Sequence, residues 1–461
     1  MENFWDFKVW GFFSVIAVLL MSLLVANVLK KSIKFLKISL IPTSVLGGAI
    51  LIIIAGIYKW LTGEILFDTA FFGNNGTAML ELITYHTLAL GFVASAFKSS
   101  KGKLNKKRTE EIFNTGVNTV ATYLLQAVIG LGISIICAVF VKDFFAAAGV
   151  LLPFGYGQGT GQALNYGTIY EGMGFVGGKS FGLTIAALGF ISASIGGVIH
   201  LNILRKNKKI NNSNYSEGNI SSEQIQSENE IPMQESIDKL TIQMALICVA
   251  YMLAYVFMII LSKILPGMKA VIYGFNFLLG VICATLIKTI INLFKKKNII
   301  KKDYINDFLL TRVSNFFFDI MVVAGIAAIR LGALKDYWGI IIIMGVVGLI
   351  VTYFYNLFTA RALFKEYSEE QFLTMYGMLT GTASTGIILL REIDGDFKTP
   401  AADNLVYQNF PAIIFGFPLM ILATLAPQKP YLTLIILTLF FAVMNLILFR
   451  SYIFKKKNKK K

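Results

Sequence analysis

The chain has 461 residues, of which 56% are hydrophobic and only 15% charged, against about 25% charged in an ordinary soluble protein. Its formal net charge of +16 lies in short lysine blocks placed directly after apolar runs, as at Lys30, Lys31, Lys34 and Lys37, or in the tail from Lys455 to Lys461. That placement holds loops on the cytoplasmic side of a bilayer against anionic lipid, and with no basic face of stacking aromatics outside the apolar runs it argues against a nucleic-acid partner.

About 20 apolar residues cross a bilayer as a helix, and eleven runs qualify. The first half supplies 10–29, 42–60, 77–97, 112–140 and 180–203, and the second half 241–262, 269–294, 308–330, 337–360, 401–424 and 431–453. The first run follows Glu2 and Asp6 and is succeeded by lysines, so it is expected to remain a span and not to be cleaved as a signal peptide. Cys137, Cys248 and Cys283 each fall inside an apolar run and read as small core residues without a disulfide framework.

Two further stretches, about 145–170 and 371–390, are interrupted by glycines and small hydroxyl residues. Each is either a broken crossing or a re-entrant hairpin, and the positive-inside rule chooses between them. With the amino terminus outside and both stretches re-entrant, only Lys8, Lys59, Lys142, Lys179, Lys263, Lys269, Arg330, Lys335 and Lys429 face outward, leaving 33 of the 42 Lys and Arg inside. Letting both stretches cross leaves 24 inside, and letting only the first cross leaves 16. Each hairpin leg is about ten residues, roughly 15 Å of helix, or half the hydrocarbon thickness.

The predicted fold is therefore all-α and membrane-integral, an inverted repeat of five spans, each half carrying a re-entrant hairpin from the opposite side. The first repeat covers 1–204 with its hairpin at about 145–171, and the second covers 240–425 with its hairpin at about 371–391. A polar linker rich in Asn, Ser and Glu, 205–239, is expected in the cytoplasm, and an extra span with a basic cytoplasmic tail occupies 426–461. Interrupted segments at matching places in inverted halves mark the site of a secondary transporter.

Around the first break stand Gly157, Gln158, Gly159, Thr160, Gly161, Gln162 and Ala163, and around the second Thr380, Gly381, Thr382, Ala383, Ser384 and Thr385. Glycines let the chain unwind, and the amino end of each new half-helix offers bare N–H groups suited to a carboxylate. Unwound carbonyls and hydroxyls suit a small cation such as sodium. Substrate binding is expected at Gly159, Thr160, Gly161, Gln162, Gly381, Thr382, Ser384, Thr385 and Arg391, and cation binding or coupling at Asp319, Gln158 and Asn404.

These two stretches, with the segment from Ser314 to Arg330, its Asp319, and the following Leu331-Gly332-Ala333-Leu334, resemble the bacterial sodium/glutamate symporter family. The resemblance covers most of the chain apart from the linker and the last span. It implies a sodium-coupled importer of glutamate, a homodimer in the bacterial plasma membrane with a mobile domain carrying both hairpins. Gln158 stands where many members have His between two glycines, and Leu389 where Asn is more typical.

Singly, Arg391 reads either as a bidentate hold on a substrate carboxylate or as part of an ion pair with Glu392, Asp394 or Asp396. Glu171 reads as a cap at the hairpin's end, His86 as a buried hydrogen-bonded core histidine beside Glu81 and Tyr85, and His200 as a charge complementing a helix carboxyl end. Asp403, Asn404, Gln408, Asn409, Ser314 and Asn315 read as weak candidates for cavity lining. A citrate-like dicarboxylate carrier is the nearest alternative. A channel is disfavoured because Gly155-Tyr156-Gly157 resembles a potassium filter only once and follows Pro153-Phe154. An enzyme is not expected: nothing places His86 near Ser384, there is no metal-ligand cluster, no cofactor motif and no Walker sequence.

Overall fold

The computed structural model describes residues 3–98, 106–207, 230–233, 237–266, 269–274, 276–395 and 398–453. These are helical almost throughout, and the described residues hold no strand beyond one isolated bridge between Glu230 and Asp303. Most of the 205–239 linker and the lysine tail lie outside them.

Among the described residues, ten helices are long and apolar enough to cross a membrane. In chain order the helices used below are α1 (Phe7–Ser32), α2 (Thr43–Thr62), α3 (Gly76–Phe97), α4 (Lys106–Phe140), α5 (Gly159–Gly172), α6 (Gly178–Lys206), α7 (Lys239–Ile264) and α8 (Asn276–Lys296). They continue with α9 (Asp307–Ala327), α10 (Trp338–Leu363), α11 (Ser368–Thr380), α12 (Ala383–Arg391), α13 (Ala401–Tyr407), α14 (Asn409–Leu425) and α15 (Pro430–Leu448). The run predicted as one span at 401–424 is instead a pair of helices bent by 52°, the tenth crossing in chain order, which counted as one brings the total among the described residues to eleven. Pro411 is the cause: it has no N–H to give the carbonyl four residues back, at Tyr407, which is where α13 ends. The span expected at 269–294 is helical over Lys269–Gly274 and Asn276–Lys296, on either side of a residue outside the described ones.

The described chain forms two compact units. One gathers 1–20, 64–102 and 217–325, and the other 21–63, 103–216 and 326–461. The first unit packs α3, α7, α8 and α9 around Val93, Phe97, Ile247, Cys283, Leu310 and Phe317. Where the linker re-enters it, Ile231 N–H donates to the Asp303 carbonyl at 3.2 Å, and the fully buried Lys239 ammonium pairs with Glu230 at 2.7 Å. Ser314 is buried against Ser95 at 2.7 Å, a packing role, while Asn315 and Asp319 lie on the exposed face of α9. His86 bonds Tyr251 at 2.8 Å but is exposed, not buried as expected, and Cys248 is likewise exposed.

The second unit holds both interrupted stretches, and each doubles back. In the first, Phe154 stacks on Tyr166 at 3.7 Å and Phe145 lies 5.3 Å from Tyr170, so the two legs run antiparallel about a tip at 158–159. In the second, Gly377 of α11 faces Gly386 of α12, with the tip at 381–382. Glu171 accepts from Lys179 N–H at 3.1 Å, so it caps the start of α6.

α6 runs behind both hairpins, and three of its glycines recur every seven residues, two helical turns, on one face. A Cβ on Gly182 would stand 2.6 Å from the Ala163 carbonyl oxygen in the first hairpin. One on Gly189 would collide with the Thr380 carbonyl oxygen, and one on Gly196 with the Tyr376 hydroxyl, both in the second hairpin. Small residues permit such backbone approach where lipid supplies no hydrophobic drive between helices. His200, near the end of α6, is buried between Tyr353 (2.9 Å) and Glu369 (2.8 Å), so it ties α6 to α10 and α11 and is not a solvated partner of the helix dipole.

The glycine seam makes a direct prediction. Gly189→Ala forces a methyl into an occupied carbonyl and is expected to cost about 1–3 kcal/mol, read as a lower thermal midpoint of the purified protein. Gly132→Ala on α4, where a Cβ meets nothing within 4 Å, should leave the midpoint unchanged or slightly raised.

Candidate functional site at the hairpin tips

The tips of the two hairpins meet. Gly159 opens α5 with φ +79°, a left-handed conformation that glycine alone adopts cheaply. A Cβ built there would lie 3.5 Å from the Gly381 carbonyl oxygen and 3.6 Å from Thr382 Cγ2. Both half-helices, α5 and α12, therefore start within contact distance of each other. Neither has a side-chain cap from its preceding residue, Gln158 or Thr382.

Two uncapped helix amino ends set tip to tip bring two partial positive charges together. The arrangement favours an anion at the junction. Around it, Thr160, Gln162 and Thr385 are almost fully buried, Gln158 and Thr382 half-buried, and the Thr382 and Thr385 hydroxyls stand 3.4 Å apart. Gln162 Nε2 finds no hydrogen-bond partner among the described residues, leaving a buried amide donor beside the α5 amino end. Gly161 and Gly381 are buried. Ser384 lies in the first turn of α12, but its side chain lies outside the described residues.

The tips are held in place by groups from neighbouring helices. Tyr156 of the first hairpin bonds Ser192 Oγ at 2.8 Å and donates to the Gly345 carbonyl at 2.5 Å. Tyr376 of the second donates to the carbonyl of the same Ser192 at 2.7 Å. From α4, the amide of Gln126 donates to the Leu379 carbonyl at 2.9 Å and to Thr352 Oγ1 at 2.9 Å, while Gly157 packs on Tyr123 beside the same glutamine.

A family model of sodium/glutamate symporters matches residues 10–393. The chain belongs to the sodium/glutamate symporter family. No curated protein matches it. Sodium/glutamate symporters are transporters and not enzymes, and family and multi-span helical architecture together fit a sodium-coupled glutamate transporter. Neither supports a dicarboxylate carrier, a channel or a hydrolase.

Within this symporter the expected residues fall into four groups. Those from Gln158 to Gln162 and from Gly381 to Thr385 converge at the tips. Arg391 sits exposed at the far end of α12, nine residues beyond Thr382 and so about 14 Å along the helix. The neighbouring Glu392 pairs with Arg205 at 3.3 Å, and Asp394 accepts from the Lys398 and Thr399 amides. Asn404 is fully buried on α13 against Tyr367 and Gln371, at the base of the second hairpin. Asp319 belongs to the other compact unit. Leu389, where the resemblance leads one to expect Asn, is buried against Gly197 of α6.

The sequence reading passed over α4. Thr115, Asn118, Thr119, Thr122 and Gln126 are all buried on it, and their spacing of three and four residues inside an apolar span was the available signal.

Thr160→Ile and Thr385→Ile are each expected to abolish glutamate uptake by filling the junction, with the amount of protein in the membrane, measured by immunoblot, unchanged. Uptake at the parental rate in both would remove these hydroxyls from the site.

Proposed function

We propose that this symporter binds glutamate where the hairpin tips meet, with sodium beside it, and exposes that site alternately to the two faces of the membrane. The observation that carries the reading is the junction of two uncapped half-helix amino ends, which an anion relieves and which glutamate, with two carboxylates, can satisfy one at each end. The α5 end supplies the amides from Gly159 to Gln162 and the Gln162 side chain. The α12 end supplies Thr382, Ser384 and Thr385. The Gly381 carbonyl, Gln158 and the threonine hydroxyls are the oxygens offered to sodium.

In this reading the two hairpins belong to inverted halves and enter from opposite faces, the amino terminus lies outside, and the lysine-rich carboxyl terminus lies in the cytoplasm of a bacterial cell. The protein works as a homodimer whose moving part carries both hairpins. The lysine distribution supports the orientation, and the seating of both hairpins on α6 in one compact unit supports their joint motion.

Reconstituted into proteoliposomes, the protein should accumulate labelled glutamate under an inward sodium gradient and not under a proton gradient or none. Accumulation indifferent to sodium would refute the coupling. Glutamine, which lacks one carboxylate, should compete about 30-fold less well, as expected for losing roughly 2 kcal/mol of helix-end interaction. Equal competition would refute the two-carboxylate pose.

A further inference from the structure

Three amide side chains beside the second hairpin end in buried oxygens that accept no hydrogen bond from any described residue: Asn118 and Gln126 on α4, and Asn404 on α13. The hydrogen-bond chains fix which end of each amide is left over. Gln126 turns its nitrogen to the Leu379 carbonyl, which can only accept, so its oxygen is unused. Asn356 of α10 gives its nitrogen to the Thr352 carbonyl at 3.0 Å and its oxygen to the Asn118 nitrogen at 2.9 Å, so the Asn118 oxygen is unused.

The third chain is longer. Thr115 donates to the Glu111 carbonyl at 2.8 Å and therefore accepts from Gln371 at 3.2 Å. Gln371 then presents its oxygen to the Asn404 nitrogen at 3.0 Å, and the Asn404 oxygen is unused. Every chain starts on a backbone carbonyl, and every chain terminates in an acceptor.

A buried acceptor without a donor is costly, and here are three of one sign: Gln126 and Asn404 bonded to Leu379 and Gln371 of the second hairpin, and Asn118 on α4 between those two levels. Gln371 and Leu379 are eight residues apart on α11, and Asn118 and Gln126 eight apart on α4, about 12 Å in each case. The oxygens are thus too widely spaced for one coordination shell. They form a file from the base of the hairpin to its tip. No carboxylate or cationic side chain takes part in the Gln126 and Asn118 chains; at Asn404, whose nitrogen also donates to the Tyr367 hydroxyl at 3.0 Å, the Glu111 carboxylate stands one hydrogen bond further off, behind that tyrosine. Neutral amide and hydroxyl oxygens replace the hydration shell of a monovalent cation, whereas calcium sites rely on carboxylates.

We infer that the buried amide oxygens of Asn404, Asn118 and Gln126 are successive stations for a monovalent cation moving between the base of the second hairpin and its tip. The file rests on the sodium-coupled reading only for the identity of the ion. Asn404 lies beyond the residues 10–393 matched by the family model, so this station is a property argued from this chain alone.

The test uses the full-length purified protein without glutamate, measuring thermal midpoint as sodium chloride replaces choline chloride at constant ionic strength. The parent should be stabilised saturably by sodium. Asn118→Leu and Asn404→Leu should each raise the half-saturating sodium concentration about tenfold or more, the loss of roughly 1.4 kcal/mol. Asn118→Asp sets a carboxylate against the Asn356 oxygen and is destabilised in choline, but sodium should restore it. A merely structural asparagine predicts destabilisation that sodium does not repair. A parent indifferent to sodium, as a file of water alone would give, overturns the inference, and so does parental sodium dependence in the Leu variants. Glutamate uptake separates the two readings: a sodium-stabilised parent, with the Leu and Asp variants behaving as expected but no glutamate uptake by the parent, would refute the transport reading and leave the cation file standing.

Discussion

The close approach of α6 to the two hairpins is the constraint on which the second unit depends. A hairpin with unwound backbone at its tip persists in a membrane protein only if protein surrounds that tip, since lipid offers no hydrogen bonds. Glycines at 182, 189 and 196 let α6 come near enough to cover both hairpins, with Ala163 of one and Thr380 and Tyr376 of the other against its face. Side chains at those positions would hold the helix off and leave the unwound tips open to lipid. The anion-favouring junction follows from that burial: only when the tips are covered do the uncapped amino ends of α5 and α12 remain unsatisfied by water.

The two units also differ in what their helices bury. The unit containing α3, α7, α8 and α9 closes over an apolar cluster centred on Phe97, Ile247 and Phe317. The unit with the hairpins buries, besides Phe154, Tyr376 and Leu389, a set of hydroxyls and amides on α4 whose partners come from α10, α11 and Gln408, the residue that follows α13. Polar groups inside a membrane protein are costly unless paired and are retained where a solute or ion passes.

Much of this was legible in the sequence, because the physics of a bilayer writes itself into run length. Spans such as 42–60 and 337–360 are recovered within a few residues as α2 and α10, and both hairpin tips fall at the glycines that interrupt their stretches. The bend in the tenth crossing was harder to see, since hydropathy averages over Pro411 while the break depends on one missing N–H. His200 was misread because its proximity to the end of a span suggests solvent, whereas its burial is decided by Tyr353 and Glu369, more than 150 positions away in sequence. The α4 polar face escaped for a similar reason. Single threonines and asparagines scarcely lower the hydropathy of a 35-residue helix, and only their recurrence on one face, opposite partners from distant segments, reveals a role.

Ser192 imposes a last mechanical condition. Its hydroxyl holds Tyr156 and its carbonyl holds Tyr376, so one residue fastens both hairpins to α6. Drawing the second hairpin away from α6 would strand the buried Tyr376 hydroxyl, a penalty of about 1–3 kcal/mol, whereas Tyr156 would keep the Gly345 carbonyl. Displacing the two hairpins together with α6 therefore costs less than separating either of them from it.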